Sequence, residues 1–314
     1  MDTIQNGIEQ VFSYILSIEK RTYWAFLISS GLIVFIFHKV QVHKTPFLKY
    51  LFPKKVWLSN SAFVDYQLLI LNAFLKVLLL SSFAIYGLRF AYEVTYNLEV
   101  WFGQPISLSA AEVVIYYSVT ITLAKDFAFF TIHYAFHKIP FLWEFHKIHH
   151  SATVMNPFTQ YRLHPIEMII NNIVSIFIFA LVTGTFDFMS DHQIHQYTLY
   201  GIGIFTFLFL SLGANLRHSH VKLGYPGFLE KILISPYQHQ IHHSSDPRHF
   251  NKNMGGKFAF WDLIFGTLVR SKEVENVKFG LGKENKDYDT FTKSLIISPI
   301  KNLFNMINIF KRKR

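Results

Sequence analysis

Histidine is concentrated in short stretches of this chain at spacings that could hold metal ions. One stretch carries H-x-x-x-H followed by HKIHH, and a later stretch carries HQIHH. Residues three or four positions apart on a helix share a face, so each group can direct its imidazoles to a common point. The residues of these motifs are His133, His137, His146, His149, His150, His239, His242 and His243.

This donor set predicts a pair of transition-metal ions. Neutral imidazole suits first-row transition metals, and eight rings are more than one tetrahedral zinc ion can use. The 314-residue chain contains no cysteine, which excludes disulfides and thiolate ligands. Two transition-metal ions are therefore the expected cofactors. If they are iron ions, as the resemblance given below implies, zinc could replace them in a preparation because imidazole sites accept it readily.

Asp126 lies in an apolar stretch, seven residues before His133. An acidic residue within a membrane segment is costly, so a functional role is the first hypothesis for it. Its distance of about two helical turns from His133 favours a role in orienting a metal-binding histidine of another helix. The alternative is a structural ion pair with its neighbour Lys125.

The composition predicts an all-α membrane protein. The chain is 51% hydrophobic and 18% aromatic, and a bilayer span needs about 20 apolar residues. We expect about four to five transmembrane helices and a cytosolic helical cap that carries the histidine-rich site. The candidate runs are 23–37, 63–88, 111–132, 168–186 and 197–214.

The basic residues predict an orientation in the membrane. The net charge is +10, and no nucleic-acid motif accompanies it. Five lysines lie between residues 38 and 57 and a basic group ends the chain, which places these segments on the cytoplasmic side. If each later apolar run crosses the membrane once, every histidine cluster lies on the cytoplasmic side. An endoplasmic-reticulum membrane and a bacterial inner membrane fit equally well.

The order of the histidine motifs resembles the fatty acid hydroxylase and sterol desaturase superfamily of integral-membrane di-iron enzymes. The resemblance covers residues 110–270. Beyond the clusters it includes FHKIHHSA at 145–152, YRLHPIE at 161–167, HSHVKL at 218–223 and NKNMGGKFAFWDLIFGTL at 251–268. The implied division of the chain is an N-terminal membrane part with a basic loop (1–109), a catalytic domain (110–270) and a basic tail (271–314).

The resemblance also implies ligands that spacing does not reveal. His218 joins the eight motif histidines, and His164 is either a tenth ligand or the start of a helix before Pro165. His220 falls where relatives often carry asparagine and is discounted. The remaining histidines considered match no family position and are expected to be exposed or interfacial: His38, His43, His192 and His195.

The family's chemistry implies an enzyme that uses O2 to hydroxylate or desaturate an unactivated C–H position of a sterol, fatty acyl chain or ether lipid. No haem module, dinucleotide loop or iron–sulfur cysteines occur in the sequence, so two electrons must come from a separate donor, such as cytochrome b5 or ferredoxin with its reductase. One alternative is a histidine-rich membrane component for metal or haem transport without oxygenase activity. Another is a family scaffold that has lost catalysis.

Overall fold

The computed structural model describes residues 2–41, 44–80, 83–103, 107–194, 196, 198–199 and 202–312. These residues form a helical protein with one short strand pair. Its strands have two residues each, and β1 Thr198–Leu199 pairs antiparallel with β2 Ile202–Gly203. The helices are α1 Asp2–Leu16, α2 Trp24–Val40, α3 Phe47–Leu51, α4 Lys54–Trp57, α5 Asn60–Leu80, α6 Phe83–Phe102, α7 Ala110–Lys138, α8 Pro140–His150, α9 Pro165–Met189, α10 Ile204–Ser211, α11 Leu229–Ile232, α12 Pro236–His242, α13 Phe260–Ile264 and α14 Ser298–Arg312. Short 3-10 and π turns join them.

Three of the described helices are long and apolar enough to cross a membrane: Asn60–Leu79 within α5, Ala110–Lys138 (α7) and Pro165–Met189 (α9). The prediction of an all-α membrane protein is therefore confirmed. The expected count of four to five spans is not, because the first apolar run forms only the 17-residue α2.

The described residues of the apolar run 63–88 lie in two helices, and only the first of these is a candidate span. Helix α5 ends at Leu80, and α6 begins at Phe83 and continues through residues expected to be an external loop. In α6, the charged Arg89 and Glu93 share one exposed face, as residues four apart do. The opposite face packs on α9, where an added Cβ at Gly184 would lie 2.3 Å from the Ala91 carbonyl oxygen.

The last apolar run, 197–214, also differs from expectation. Only eight of its described residues are α-helical, in α10, which gives a length of about 12 Å. That is far short of the roughly 30 Å hydrocarbon core. Hydropathy alone does not distinguish a spanning helix from an apolar segment that packs against other parts of the protein, and Phe209 and Leu210 of α10 are core residues.

A sharp corner between α7 and α8 brings two histidine motifs face to face. Serine at position 109 begins α7 with a capping box to Glu112, which satisfies free amide groups of the first turn. Ile139 then adopts an extended conformation and Pro140 begins α8, as expected for a residue before proline and for proline at the first helical position. The two helices are connected without a loop.

Residues 271–312 are more than an exposed tail, because they pack on the helices that carry the histidines. Tyr288 is 1% exposed and belongs to a core cluster with Ile148 of α8. The Asn302 side chain of α14 donates to the Glu144 carboxylate of α8 at 2.6 Å. This segment therefore helps to hold α8 in place.

Candidate metal centre

Nine histidines converge in two adjacent groups, and within each group the potential ligand atoms all lie within 4.8 Å of one another. The first histidine group consists of His133, His137, His146, His150 and His242. The second histidine group consists of His149, His218, His239 and His243. These are the nine motif positions that the sequence and the family resemblance indicated.

Each H-x-x-H-H motif contributes to both groups. In α8, His146 and His150 belong to the first group and His149 to the second, whereas at α12 His239 and His243 belong to the second group and His242 to the first. Adjacent helical residues diverge by about 100°, so neighbouring histidines cannot face the same ion. The rings of His150 and His243, one from each group, stack at 4.5 Å between centroids, so the two groups are in contact.

The hydrogen bonds of His133 and His146 leave two lone pairs facing each other. His133 Nδ1 donates to the Met254 carbonyl at 2.8 Å, and His146 Nδ1 donates to the Glu167 carboxylate at 2.9 Å. A neutral imidazole that donates through Nδ1 has a bare lone pair on Nε2. The two Nε2 atoms are 3.1 Å apart, an arrangement that a cation between them would stabilise.

The distances within the second group agree with metal ligation. The Nε2 atoms of His218 and His149 are 3.3 Å apart, those of His239 and His218 are 3.0 Å apart, and those of His243 and His239 are 3.2 Å apart. Four nitrogens held about 2.0–2.1 Å from one tetrahedral ion are separated by about 3.3–3.4 Å. The residues present therefore fit transition-metal ions.

In the first group, three further ring nitrogens are buried with no hydrogen-bond partner among the described residues. They are the Nε2 atoms of His137, His150 and His242. A buried polar atom without a partner is costly and requires an explanation. Coordination of an ion by the first group would satisfy all three.

Three acceptors fix the orientation of the first-group rings. Besides Glu167 and the Met254 carbonyl, the Lys252 carbonyl accepts from His242 Nδ1 at 2.8 Å. Such partners select the tautomer that leaves Nε2 for the metal and make the ring a better ligand. Sequence reasoning gave Glu167 no role, although a buried acid in the first turn of an apolar membrane helix is the kind of signal that drew attention to Asp126.

Asp126 holds a loop and touches no described histidine. Its carboxylate accepts from the backbone amides of Lys257 and Phe258 at 2.7 and 3.1 Å, and from the indole nitrogen of Trp261 at 3.2 Å. The expectation that it orients a histidine ring directly is therefore wrong. Its link to the ligands is indirect, because the same loop supplies the Met254 carbonyl to His133.

The alternative for Asp126, an ion pair with Lys125, is not formed either. The Lys125 ammonium lies over the Phe179 ring, 5.1 Å from its centroid. The loop has a second anchor in Asp262, which accepts from the amides of Met254 and Gly255 at 2.7 and 2.8 Å. Two carboxylates thus shape the segment that carries the acceptor for His133.

Arg162 fixes the end of α8 where His149 and His150 lie. It is 1% exposed, donates through Nε to the Ile148 carbonyl at 2.9 Å and pairs with Asp65 of α5 at 3.1 Å. A buried charge is tolerated when it is paired and hydrogen-bonded. This pair therefore connects α5 to the histidine-bearing end of α8.

His164 is not a member of either histidine group. Its Nδ1 accepts from the Ile166 amide at 3.1 Å and its Nε2 donates to the Leu295 carbonyl at 3.2 Å. It is the N-cap of α9, and with Pro165 after it the helix begins there. This position agrees with the helix-start alternative, and the role of a tenth ligand has no support from the geometry.

The other histidines considered lie away from the two groups. His220 donates to the Tyr50 carbonyl at 2.7 Å, and His192 is exposed beside Asp187 and Glu99. His38 is 7% exposed, so the expectation of an exposed or interfacial position is wrong for it. His43 and His195 lie outside the described residues.

Burial keeps the ligand imidazoles neutral. It lowers the pKa of His146 to about 3 and that of His149 to about 3. For His150 and His243, burial and then neighbouring histidines lower the pKa well below its usual value. A neutral ring offers its lone pair at physiological pH, which is the form a metal requires.

Cavities adjoin the centre on two sides. One, of about 280 Å³, is bounded by His137, His150, His242 and Trp143. The Trp143 ring lies 5.0 Å from His137 and 5.3 Å from His150 between centroids. The other, of about 190 Å³, is lined by histidines of both groups and by Phe129 and Phe136, so a molecule with an apolar part can approach the centre.

The amino-acid sequence is similar to a known family and to several known proteins. The model of the fatty acid hydroxylase family matches residues 118–267. The chain is 30% identical to human alkylglycerol monooxygenase over 161 residues, which are 51% of this chain and 32% of that protein. It is 29% identical to human cholesterol 25-hydroxylase over 147 residues, 46% of this chain and 48% of that protein.

A third relative is the ornithine lipid hydroxylase OlsE of Rhizobium tropici, 26% identical over 170 residues, 52% of this chain and 45% of that protein. The chain spans about a third of the alkylglycerol monooxygenases that it matches. No solved structure matches it. The matched segment includes all nine converging histidines, and we conclude that this integral membrane protein contains a fatty acid hydroxylase domain related to lipid hydroxylases and monooxygenases.

Proposed function

We propose that the protein is a membrane-bound di-iron oxidoreductase that uses O2 and two external electrons to hydroxylate or desaturate an unactivated C–H position of a lipid. In hydroxylation, the lipid gains one oxygen atom from O2, and the other leaves as water with two electrons and two protons supplied from outside. The candidate substrates are a sterol, a fatty acyl chain or an ether lipid.

The observation that carries this proposal is the facing pair of bare Nε2 atoms of His133 and His146, 3.1 Å apart, beside a second set of four histidines. Two adjacent nitrogen-rich sites support a binuclear centre. Iron, when bound, would supply the oxidising power to attack an alkyl C–H bond, which side chains lack.

The chain's own residues would bind the ions, orient the ligand rings and exclude water. Glu167 and the Met254 carbonyl would hold His146 and His133 in the metal-binding tautomer. The buried aromatic ring of Phe136 at the small cavity would keep the reacting part of the lipid dry, and a dry site strengthens every electrostatic contact within it.

The electrons would come from a separate carrier, such as cytochrome b5 or ferredoxin with its reductase. We propose that the histidine groups face the cytoplasm, as the lysines of residues 38–57 favour. The 280 Å³ cavity beside Trp143 supports an approach of the carrier from the cap. Reporter fusions at residues 45 and 230 should both report the cytoplasm.

Untargeted lipid analysis of cells with and without the gene tests the function directly. We expect one lipid class to differ by one oxygen atom or by two hydrogen atoms, which distinguishes hydroxylation from desaturation. Complementation with His149→Ala is the control, because this variant should insert in the membrane and leave the lipids unmodified. Lipids that are unchanged by the gene, or modified equally by the variant, would contradict the proposal.

A further inference from the structure

A cationic cavity lies beside the metal centre, between the membrane helices and the loop at residues 256–257. It consists of two adjoining spaces of about 320 and 190 Å³, which share the lining residues Arg21, Phe129 and Asn171. The smaller space reaches the histidines, and the larger lies against Lys125 of α7 and Lys257. The cationic cavity is thus continuous in its lining with the proposed reaction site.

The positive charges of this cavity are only partly neutralised by the described residues. The lining contains five cationic side chains: Arg21, Lys76, Lys125, Arg217 and Lys257. None of them forms an ion pair with a carboxylate within the part of the chain that the structure describes. Like charges gathered in a partly buried space repel one another unless an anion joins them.

The two carboxylates of the cavity already have other partners. Asp126 accepts from two backbone amides and the Trp261 indole. Glu167 accepts from His146. Their negative charges therefore offset only part of the five positive charges, and the lining keeps more cations than carboxylates.

Arg217 gives an independent indication of an anionic ligand. It is 3% exposed, and its Nε has no hydrogen-bond partner among the described residues. One terminal nitrogen donates to the Gly256 carbonyl at 2.6 Å. A buried guanidinium with an unused donor at a cavity wall is suited to a carboxylate or phosphate oxygen.

The exposure of the cations indicates the route by which an anion would enter the cavity. Lys125 is exposed on the outer side of α7, Arg21 and Lys257 are half-buried, and Arg217 is buried. Burial lowers the pKa of Lys257 to about 8. An anion that enters past Lys125 would therefore meet progressively less hydrated donors, which bind it more strongly.

Apolar side chains form part of the walls between the cations, and they favour an amphiphile over a free ion. Phe129 and Ile132 of α7 and Val174 of α9 line the larger space. The Phe129 ring is also 5.3 Å from the His133 ring between centroids. A ligand with a charged end and a hydrocarbon part would fit both kinds of surface and place its carbons next to the histidines.

We propose that the cationic cavity binds the anionic end, a carboxylate or a phosphate ester, of the lipid that the centre oxidises. This proposal rests on the proposed function and narrows its substrate class. It disfavours uncharged sterols and uncharged ether lipids as preferred substrates. Arg217, Arg21 and Lys257 would bind the anion, and Lys125 would receive it from the membrane and add a further contact.

Binding without turnover tests the cavity separately from the oxidation chemistry. Native mass spectrometry of the purified full chain in neutral detergent would compare hexadecyl phosphate, palmitate, hexadecanol and inorganic phosphate as probes. We expect at least one anionic amphiphile to bind roughly tenfold or more tightly than hexadecanol, because charge-assisted hydrogen bonds are the strong ones. Which anion binds better distinguishes a phosphate from a carboxylate headgroup.

Variants connect that preference to the cavity. The double variant Lys125→Met, Lys257→Met should bring the preference below about threefold, because it removes two charge-assisted contacts, and its metal content should equal that of the original protein. Lys138→Met, an exposed lysine of the same helix, should change neither quantity. The double variant alters no histidine contact, so a loss of metal from it would show misfolding, and Lys125→Met alone would then serve.

Three outcomes would overturn the proposal: equal binding of hexadecanol, equally tight binding of inorganic phosphate, or an anion preference that survives the lysine substitutions. Failure of the proposed function would look different. A protein that prefers anionic amphiphiles but oxidises no lipid would contradict only the function, and one that oxidises hexadecanol as well as palmitate would contradict only the cavity.

Discussion

Glutamate at position 167 should strengthen metal binding while destabilising the metal-free protein. Its Oε1 accepts from His146 Nδ1 at 2.9 Å, whereas its Oε2 is buried with no partner among the described residues. An incompletely paired buried carboxylate is unfavourable by itself. A cation on the opposite nitrogen of His146 would compensate it through the imidazole.

The contribution of Glu167 to metal affinity can be estimated from its distance to the ion. The 2.9 Å distance from Glu167 Oε1 to His146 Nδ1, together with the ring and one metal–nitrogen bond, puts the carboxylate about 7 Å from the ion. At an effective dielectric constant of about 20, a pair of unit charges at that separation interacts by about 2 kcal/mol, which is about thirtyfold in affinity. Loss of such a partner of a metal ligand typically weakens binding by about 10- to 100-fold.

The substitution Glu167→Gln keeps the shape and removes the charge. We expect the chelator concentration that strips half of the metal to fall by roughly thirtyfold. The melting temperature of the metal-free protein in detergent should stay the same or rise. Asp187→Asn, at the other end of the same helix and beside the exposed His192, is the matched control and should leave metal retention unchanged. Unchanged metal retention in Glu167→Gln would refute this reasoning.

Three further predictions concern the supports of the centre and its pH dependence. Asp126→Asn should loosen the loop that carries the Met254 carbonyl and weaken metal retention by about tenfold; retention equal to that of the original protein would show that the loop does not need the charge. His164→Asn should preserve the helix cap and the metal content, whereas His164→Ala should lower the free energy of unfolding by about 1 kcal/mol, and equal stability of the two variants would contradict the capping role. The metal-free protein should lose stability as pH falls from about 6.5 towards 3. Burial holds the pKa of His146 and His149 at about 3, so the unfolded chain binds more protons than the folded protein in that range. Thermal unfolding at pH 7 and pH 5 measures the loss, and equal stability at the two pH values would contradict it.

The convergence of the motif histidines could be predicted from the sequence because helical spacing encodes it. Positions 133 and 137, or 239 and 243, face the same way whatever surrounds them. The division of each H-x-x-H-H motif between two groups follows from the same geometry, since His149 and His150 point about 100° apart. His218 has no such spacing and was indicated only by the family resemblance.

The supports of the centre depend on contacts between distant segments, which no local pattern records. Asp126 reaches the backbone of Lys257, 131 positions away, and His146 of α8 reaches Glu167 of α9, 21 positions away. The membrane helices were predicted where one apolar run forms one helix, as in α7 and α9. Hydropathy did not separate α5, which ends at Leu80, from α6, which begins at Phe83, because both helices are apolar where they approach each other in the sequence.

The division of the chain at residues 109 and 270 and its orientation in the membrane stay predictions. The packing of Tyr288 against Ile148 connects the last segment physically to the histidine-bearing helix. A deletion of residues 271–314 would therefore be expected to disturb α8 as well as the surface.

The number of metal ions per chain tests the central claim most directly. The purified protein, stripped with a chelator and then titrated with ferrous iron under anaerobic conditions, should take up two ions per chain, one for each histidine group. Zinc should also bind at that ratio, because both groups present neutral imidazoles. An uptake of one ion or none by correctly folded protein would contradict a binuclear centre built from these nine histidines.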